Sequence, residues 1–485
     1  MQFRKWPILL VTPLILAACE AQVPGKYTDP KAGFAEVSAQ TSAAIGKRTA
    51  FTQTKADNEA LQKQVHAMIY RKTISADTAV QAALLNNKGL QASYATVGMS
   101  AAEVWQQSLL ENPVVSIGLF GIGAPELSVY RALESTIAFN LLNANTRKQR
   151  VAIASSQFQE AQLNAVNDTL GLANQTRLAW INAVSAFETV SYLRRANDTA
   201  AAGAELAEKL GQAGSLNKAG QAREFAFNAE LTGQLAKARL AATLAKEELT
   251  RLMGLWGTDV NYFVPDALPS LPRSIARVSS IETAALKNRV DLKVAKIALE
   301  AQARAFGLTD KTRLVTDLEL IAGVESESES EDGKTSTDTR PQLELEFAIP
   351  IFDTGKARMR KAELAYMRAA NVLAETAVNV RSEARSAEVA YHASYQIARH
   401  YRDVVIPLRV TIEEEGLLSY NGMITNTFEL LTDVREKLGS SLEAANAKRD
   451  FWLAQANVKA AIYGGGTPSA GGGEGMAIAS GGGGH

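Results

Sequence analysis

Chemistry that makes or breaks bonds finds few candidates in this chain. Its four histidines, His66, His392, His400 and His485, fall at no metal-ligand spacing, and no carboxylate pattern of a site lies beside His392 and His400. Gly118, Gly121 and Gly123 lie within an alternating, strand-like run and not ahead of a helix, so no nucleotide loop is expected there. The pattern G-x-x-x-x-G-K-S/T is absent, and Cys19 is the only cysteine, which excludes a disulfide framework. The acidic residues point to a different chemistry, the lining of a wet wall. Asp317, Glu319, Glu344 and Glu346 oppose Leu314, Leu318, Leu320, Leu343, Leu345, Phe347 and Ile349 in period-two runs, the pattern of a membrane strand between lipid and water. Glu413, Glu414 and Glu415 form a second acidic group in a helical run. Successive side chains there point about 100° apart, so at most one or two share a direction. No enzyme activity, metal or cofactor is expected from these residues.

The elements that place these groups change period abruptly. Leu343, Leu345, Phe347, Ile349 and Ile351 alternate with Gln342, Glu344, Glu346, Ala348 and Pro350. From Ala362 the small and apolar residues recur every three or four positions as far as Ala398. A strand therefore runs straight into a helix. Apart from Pro407, residues 356–415 hold neither proline nor glycine, so a helix of roughly 60 residues, about 90 Å long, fits there. That is several times the average helix.

From Ile74 the chain reads as built twice. Leu84, Asn86 and Leu90 match Leu286, Asn288 and Leu292; residues 133–154 match 343–364, and the RLMG ending at Gly254 matches the AIYG ending at Gly464, both at an offset of 210. So long a period suits two pseudo-equivalent halves of one domain, not a solenoid. The first half, 74–254, reads as a helix over 76–111 stopped by Asn112-Pro113, strands over 114–122 and 127–140, a helix over 144–210 and a returning helix over 216–253. Gly211 and Gly214 can adopt left-handed conformations between the last two. The second half, 281–464, reads as a helix over 281–307, strands over 313–324 and 341–351, a long helix to Leu418, a turn at Tyr420-Asn421-Gly422 and a helix to Tyr463. A descending helix of about 67 residues covers roughly 100 Å, and the ascending pair of about 38 and 27 residues, laid end to end, nearly the same. Residues 255–280, with Pro265, Pro269 and Pro272, form a connector outside the core. The acidic run 325–340 reads as a disordered loop between strands, and the Gly-rich tail 465–485 as a flexible linker with no role assigned.

Arg4 and Lys5 precede an uncharged stretch too short to span a bilayer, and it ends in Leu16-Ala17-Ala18-Cys19, which resembles a bacterial lipoprotein box. The resemblance implies a signal peptide over 1–18, cleavage before Cys19 and lipidation of its thiol. Glu20, where Asp would retain such a protein, implies delivery to the outer membrane. Residues 19–73 read as a tether that leads from the lipid and lies along the body, with a short helix over 57–71. Without Arg4 and Lys5 the 51 basic residues fall to 49, against 51 acidic ones, which argues against nucleic acid as a partner. No other run of about 18 apolar residues occurs, so any membrane-crossing part must be a barrel.

Four strands cannot close a barrel, since about eight are needed for even a filled interior, so the wall must be shared among copies. Eight, twelve or sixteen strands all satisfy that count. The stretches PIFDTGKARMRKAELAYMRAA from Pro350, ENPVVSIG from Glu111, NNKGLQASYA from Asn86 and SYNGMITNTFELLTDVREKL from Ser419 resemble the TolC-type outer-membrane efflux channel family, in its lipoprotein branch, over residues 74–464. The fold so implied is mainly α with a membrane β-barrel part: a long α-helical hairpin barrel beneath a twelve-stranded barrel, to which each chain of a homotrimer gives four strands. The implied partners are a periplasmic adaptor, an inner-membrane efflux pump and outer-membrane lipid, the chain conducting passively from the pump. Family members usually carry Arg-Pro-Asp-Leu where this chain has Arg289-Val290-Asp291-Leu292, which leaves that helix start open. By the same resemblance the adaptor docks at the helix-turn-helix tips, here Gly211, Gly214, Ser215, Tyr420, Asn421, Gly422 and Thr425. Three copies of Glu413, Glu414 and Glu415 would then favour cations near the mouth, while Asp317, Glu319, Glu344 and Glu346 line the barrel lumen. Type I protein secretion uses the same architecture with another partner. A structural lipoprotein that braces the envelope without conducting is the alternative from another class.

Overall fold

Residues 25–122, 132–275, 280–331, 334–422 and 427–465 are described by a computed structural model. The segment 1–18 expected as a signal peptide, Cys19, Thr425 and residues 466–485 of the tail lie outside them. Helices α1 (Gly25–Thr28), α2 (Phe34–Ile45) and α3 (Lys55–Ile69) open the chain. There follow α4 (Ala76–Asn86), α5 (Lys88–Ser108), β1 (Val114–Phe120), β2 (Ala132–Asn140), α6 (Leu141–Gln212) and α7 (Lys218–Leu252). The same order of parts then recurs: α8 (Ile281–Asn288), α9 (Val290–Lys311), β3 (Leu318–Glu331), β4 (Lys334–Phe347), α10 (Lys356–His400), α11 (Ile406–Asn421) and α12 (Thr427–Tyr463).

Where one helix is expected over 76–111, two form, parted at Asn87 with φ −63° and ψ 123°. The second half parts in the same way at Arg289, with φ −55° and ψ 126°. Both backbones are those of a residue ahead of a proline, yet neither is followed by one. Side chains do the holding instead. Asn86 donates to the carbonyls of Met253 and Gly254 (3.2 and 2.6 Å), and Asn87 to that of Leu252 (2.9 Å), so the end of α7 fixes the first break. Arg289, buried, grips Asp291 at 3.0 and 2.5 Å and Glu383 of α10 at 2.6 Å. Burial alone would pull its guanidinium down, but these two carboxylates outweigh that and hold it above the usual range. Thus α9 starts cleanly at Val290 without a proline. Gly254 ends α7 at φ +66° and Gly464 ends α12 at φ +102°, left-handed positions that favour glycine. A Cβ on Gly254 would stand 3.1 Å from the Asn86 carbonyl oxygen, which keeps the break and the helix end in contact.

The second long helix departs from expectation. α6 runs 72 residues without interruption, whereas α10 passes into α11 through one π-helical turn, Tyr401–Val405, just ahead of Pro407. The proline has no N–H for the ladder and its ring crowds the preceding turn, so one wide turn absorbs the mismatch. Asp403 within that turn is clasped by Arg402 and Arg399, whose guanidiniums hold its carboxyl at about 2.

Contacts divide the chain into two units. The first takes the described residues up to 37, then 94–164 and 292–376, and contains the sheet. In it Tyr27 packs edge-on against Phe158 at 5.6 Å and Phe34 against Tyr94 at 5.0 Å, so the segment read as a tether lies against the body. The second takes residues 38–93, 165–291 and 377 onward. Its main core gathers Val65 and Ile69 of α3, Trp180 of α6, Leu249 and Met253 at the end of α7, and Tyr262. The Trp180 indole donates to the Ile74 carbonyl at 3.0 Å. The connector is not outside the core: Tyr262 and Leu268 join this cluster, and Leu271 is buried in another with Tyr395 and Phe451. Glu188, itself buried, accepts from the Leu268 amide (3.1 Å) and from Lys448 (2.6 Å), while Trp452 donates to the Pro269 carbonyl at 3.0 Å. The prolines mark an extended path, and the apolar residues between them turn inward along it.

The strands pair in the order β1-β2-β3-β4, each pair antiparallel. Their bounds shift from those expected. β1 stops at Phe120, β2 is described from Ala132, and β3 begins at Leu318, so Asp317, Leu314, Ile349 and Ile351 fall outside strands. The acidic run 325–340 is not a disordered loop. It is the outer part of a β3–β4 hairpin in which Glu331 faces Lys334 across the two-residue connection. Alternation in this run places Ser326 and Ser328 on one face, where they meet Thr339 and Thr337 at 3.4 and 3.2 Å. Low hydrophobicity hid a period of two that β-branched threonines on the facing strand complete.

Candidate functional site

The register sorts the sheet into two unlike faces. Leu320 faces Phe139 and Leu345; Ala322 faces Ile137 and Leu343; Leu318 faces Phe347; and Val115, Ile117 and Leu119 continue the same side onto β1. This apolar face lies open in the single chain, with Leu343 72%, Leu345 56% and Ile117 70% exposed. An exposed apolar surface of this extent on a twisted sheet has no stable place against water. The other face carries Glu319 against Glu346 and Asn140, Glu344 against Ile321, and Thr136, Gly323 and Gln342 in one row. Of the four acids expected on a wet wall, Glu319, Glu344 and Glu346 share this face, and Asp317 precedes its strand.

Three further polar groups of that face escape a reading by composition. Glu134 stands in one row with Gly118, Glu325 and Arg340, and it accepts from the Gln342 amide at 3.0 Å. Alternation within ALESTIAFN was the available signal, but which acids meet across strands depends on register. Among the described residues, β1 and β4 each pair on one side only, which leaves two open edges.

The two interhelical turns belong to the second unit. Gly211 lies inside the last turn of α6 and does not end it; Gly214, at φ +74°, does. The Ser215 amide donates back to the Leu210 carbonyl at 2.9 Å, and Asn217 caps α7 by accepting from the Gly220 amide at 2.8 Å. Tyr420 and Asn421 close α11, and Gly422 follows at φ −78° with its amide on the Leu418 carbonyl at 2.9 Å. Glu413 is engaged by Lys437 of α12, whereas Glu414 and Glu415 are exposed. Across the return helices Arg435 pairs with buried Glu224 at 3.2 Å and lies 4.1 Å over the Phe227 ring.

Among the described residues no three His, Cys, Asp or Glu side chains gather as a metal cluster, and no helix is long and apolar enough to cross a membrane. No family model and no curated protein matches the sequence. Solved structures do match. The Campylobacter jejuni CmeC outer membrane channel is 18% identical, with a TM-score of 0.67 over 88% of this chain and 91% of its own. The outer membrane protein VceC from Vibrio cholerae is 14% identical, with a TM-score of 0.64 over 80% and 96% of the two chains. The open state of the Neisseria gonorrhoeae MtrE outer membrane channel is 14% identical, with a TM-score of 0.63 over 82% and 91%. The chain thus has the mainly helical, four-stranded fold of these outer-membrane proteins.

Proposed function

We propose that this chain, folded like known outer-membrane channels, is a TolC-type exit duct that conducts substrates passively across the outer membrane from an inner-membrane pump and a periplasmic adaptor. One observation carries the reading: a four-stranded sheet, apolar on one face and acidic on the other, whose two edges and apolar face a single chain leaves uncovered. Three copies joined edge to edge make twelve strands, turn the apolar face to lipid and enclose the acidic one. The two halves, 74–254 and 281–464, act as repeats around the connector 255–280. Cys19 carries the lipid that holds the N-terminus at the membrane. Gly211, Gly214, Ser215, Tyr420, Asn421, Gly422 and Thr425 receive the adaptor. Since Lys437 engages Glu413 within the chain, the cation-favouring ring near the mouth rests on Glu414 and Glu415.

Purified protein placed in a planar bilayer tests this. A stable trimer by mass photometry, with discrete conductance steps that favour cations, is the expected result. A monomer that produces no conductance would refute the duct and leave an envelope-bracing role.

A further inference from the structure

A cavity of about 320 Å³ opens in the second unit between α2, α4, α6 and α12. Ile45, Val80, Leu170 and Ala456 form an apolar floor, and Lys47, Arg177 and Lys459 stand around it with no acidic residue among the lining. Two of these cations share one carboxylate, Asp77, with Arg177 at 2.7 Å and Lys47 at 3.3 Å. Arg177, and less strongly Lys47, hold its carboxyl below the usual range against the opposing effect of burial. Three cations against one carboxylate leave a local charge of +2. Asn174 lines the same cavity, is 9% exposed, and has an amide nitrogen with no hydrogen-bond partner among the described residues. An unmet buried amide donor and an excess of positive charge over an apolar floor together suit an extended peptide with one carboxylate and apolar side chains on the same side.

Such a peptide lies close at hand. Gly464 is part of the cavity wall, so the chain beyond it departs from the cavity itself. Residues 466–485 read GTPSAGGGEGMAIASGGGGH, in which Glu474 is the one acid and Met476 and Ile478 are the large apolar residues. In an extended backbone Glu474, Met476 and Ile478 point to one side. We propose that residues 474–479 return to this cavity, with Glu474 among Lys47, Arg177 and Lys459, Met476 and Ile478 on the apolar floor, and a main-chain carbonyl accepting from Asn174. From Gly465 to Glu474 a glycine-rich coil has a root-mean-square span of about 17 Å, and about 30 Å when fully extended, so the loop closes without strain. Tethering at that length also supplies an effective concentration in the millimolar range.

Carbodiimide cross-linking of the full chain, read by mass spectrometry, tests the docking. Glu474 is expected to form an amide with Lys459 or Lys47, and Glu474→Gln is expected to lose it. The exposed pair Glu205 and Lys209, 2.7 Å apart, provides the positive control. A sample in which the control pair is joined but Glu474 is not refutes the proposal. An equal mixture of isotopically heavy and light copies, assembled together, separates the remaining case: links that are never mixed in label keep the tail within its own chain, whereas links of which about half join a heavy to a light chain place it on a neighbour and overturn docking within the chain. In a chain ending at Gly465, acylation of Lys459 should run several-fold faster than in the full chain, and an unchanged rate counts against the proposal.

Discussion

Glu344 and Leu345 are neighbours in β4, and the register sends them to opposite faces of the sheet, Glu344 beside Ile321 and Leu345 beside Leu320. Replacing each in turn by arginine therefore asks which face meets lipid. At Leu345, mid-band between Leu343 and Phe347, arginine near the bilayer midplane costs about 2–4 kcal/mol per copy, hence about 6–12 kcal/mol in a trimer. Per chain that is about 30-fold to 1,000-fold in the assembly equilibrium. At Glu344, on the face proposed to line the duct, the same side chain enters water and costs little, but it replaces a negative charge with a positive one. Each variant would be refolded into lipid vesicles over a urea series, with detergent-resistant trimer scored on gels and ion selectivity measured on what inserts. Leu345→Arg should shift the midpoint far toward low urea and yield little trimer. Glu344→Arg should assemble like the parent and lose preference for cations. The opposite pattern, free insertion of Leu345→Arg with failure of Glu344→Arg, would show the faces to be reversed and refute the wall described above.

Two predictions concern the water-exposed part of the chain. Burial pushes the Tyr262 phenol up to about 12, and its hydroxyl bonds Thr250 at 2.9 Å and the Lys246 carbonyl at 3.1 Å. A raised folded-state value contributes stability that is complete below the unfolded value near pH 10 and is lost as pH climbs toward 12, in all about 2–3 kcal/mol. Denaturant melts between pH 8 and 12 should show that decline in the parent and not in Tyr262→Phe, and a phenolate absorbance difference between parent and Tyr262→Phe that titrates near pH 10 in the folded chain would refute it. Val290→Pro should change stability by no more than about 1 kcal/mol, because Arg289 already holds the backbone that precedes a proline and Val290 opens α9. Arg289→Ala, which removes the cation that Asp291 and Glu383 share, should cost about 1–3 kcal/mol given their partial exposure. Far-ultraviolet circular dichroism melts measure both, and a heavier loss in Val290→Pro than in Arg289→Ala would contradict this account of the break.

Periodicity made the long elements legible. The alternation from Leu343 to Phe347 and the stripe from Ala365 to Ala398 each recur as one strand and one helix, because side-chain direction repeats with backbone geometry. What escaped was set by partners far away in sequence. The apolar pattern runs through Asn87 without a pause, and the break there comes from carbonyls at Leu252, Met253 and Gly254. Residues 325–340 look disordered by charge, but serine–threonine pairing across the hairpin orders them. In the wall, Glu319, Glu344 and Glu346 could be placed by counting from Leu345, while the Glu134–Gln342 contact required knowing how β2, β3 and β4 align.

The wide turn at Tyr401–Val405 resets direction as well as accommodating Pro407. A π turn takes up about one residue more than an α turn, so every side chain after it is rotated by roughly 100° from the azimuth that the preceding helix would have assigned. The small-residue stripe of α10 consequently is not inherited by α11, which meets α12 through Arg409 with Glu436 and Glu413 with Lys437. Losing one residue between 401 and 405 would keep the rod's length nearly unchanged while re-aiming every group beyond it, as a frameshift keeps the letters and alters the words. The distal segment thus has an orientation of its own, adjustable by insertion or deletion at a single place without disturbing the packing upstream.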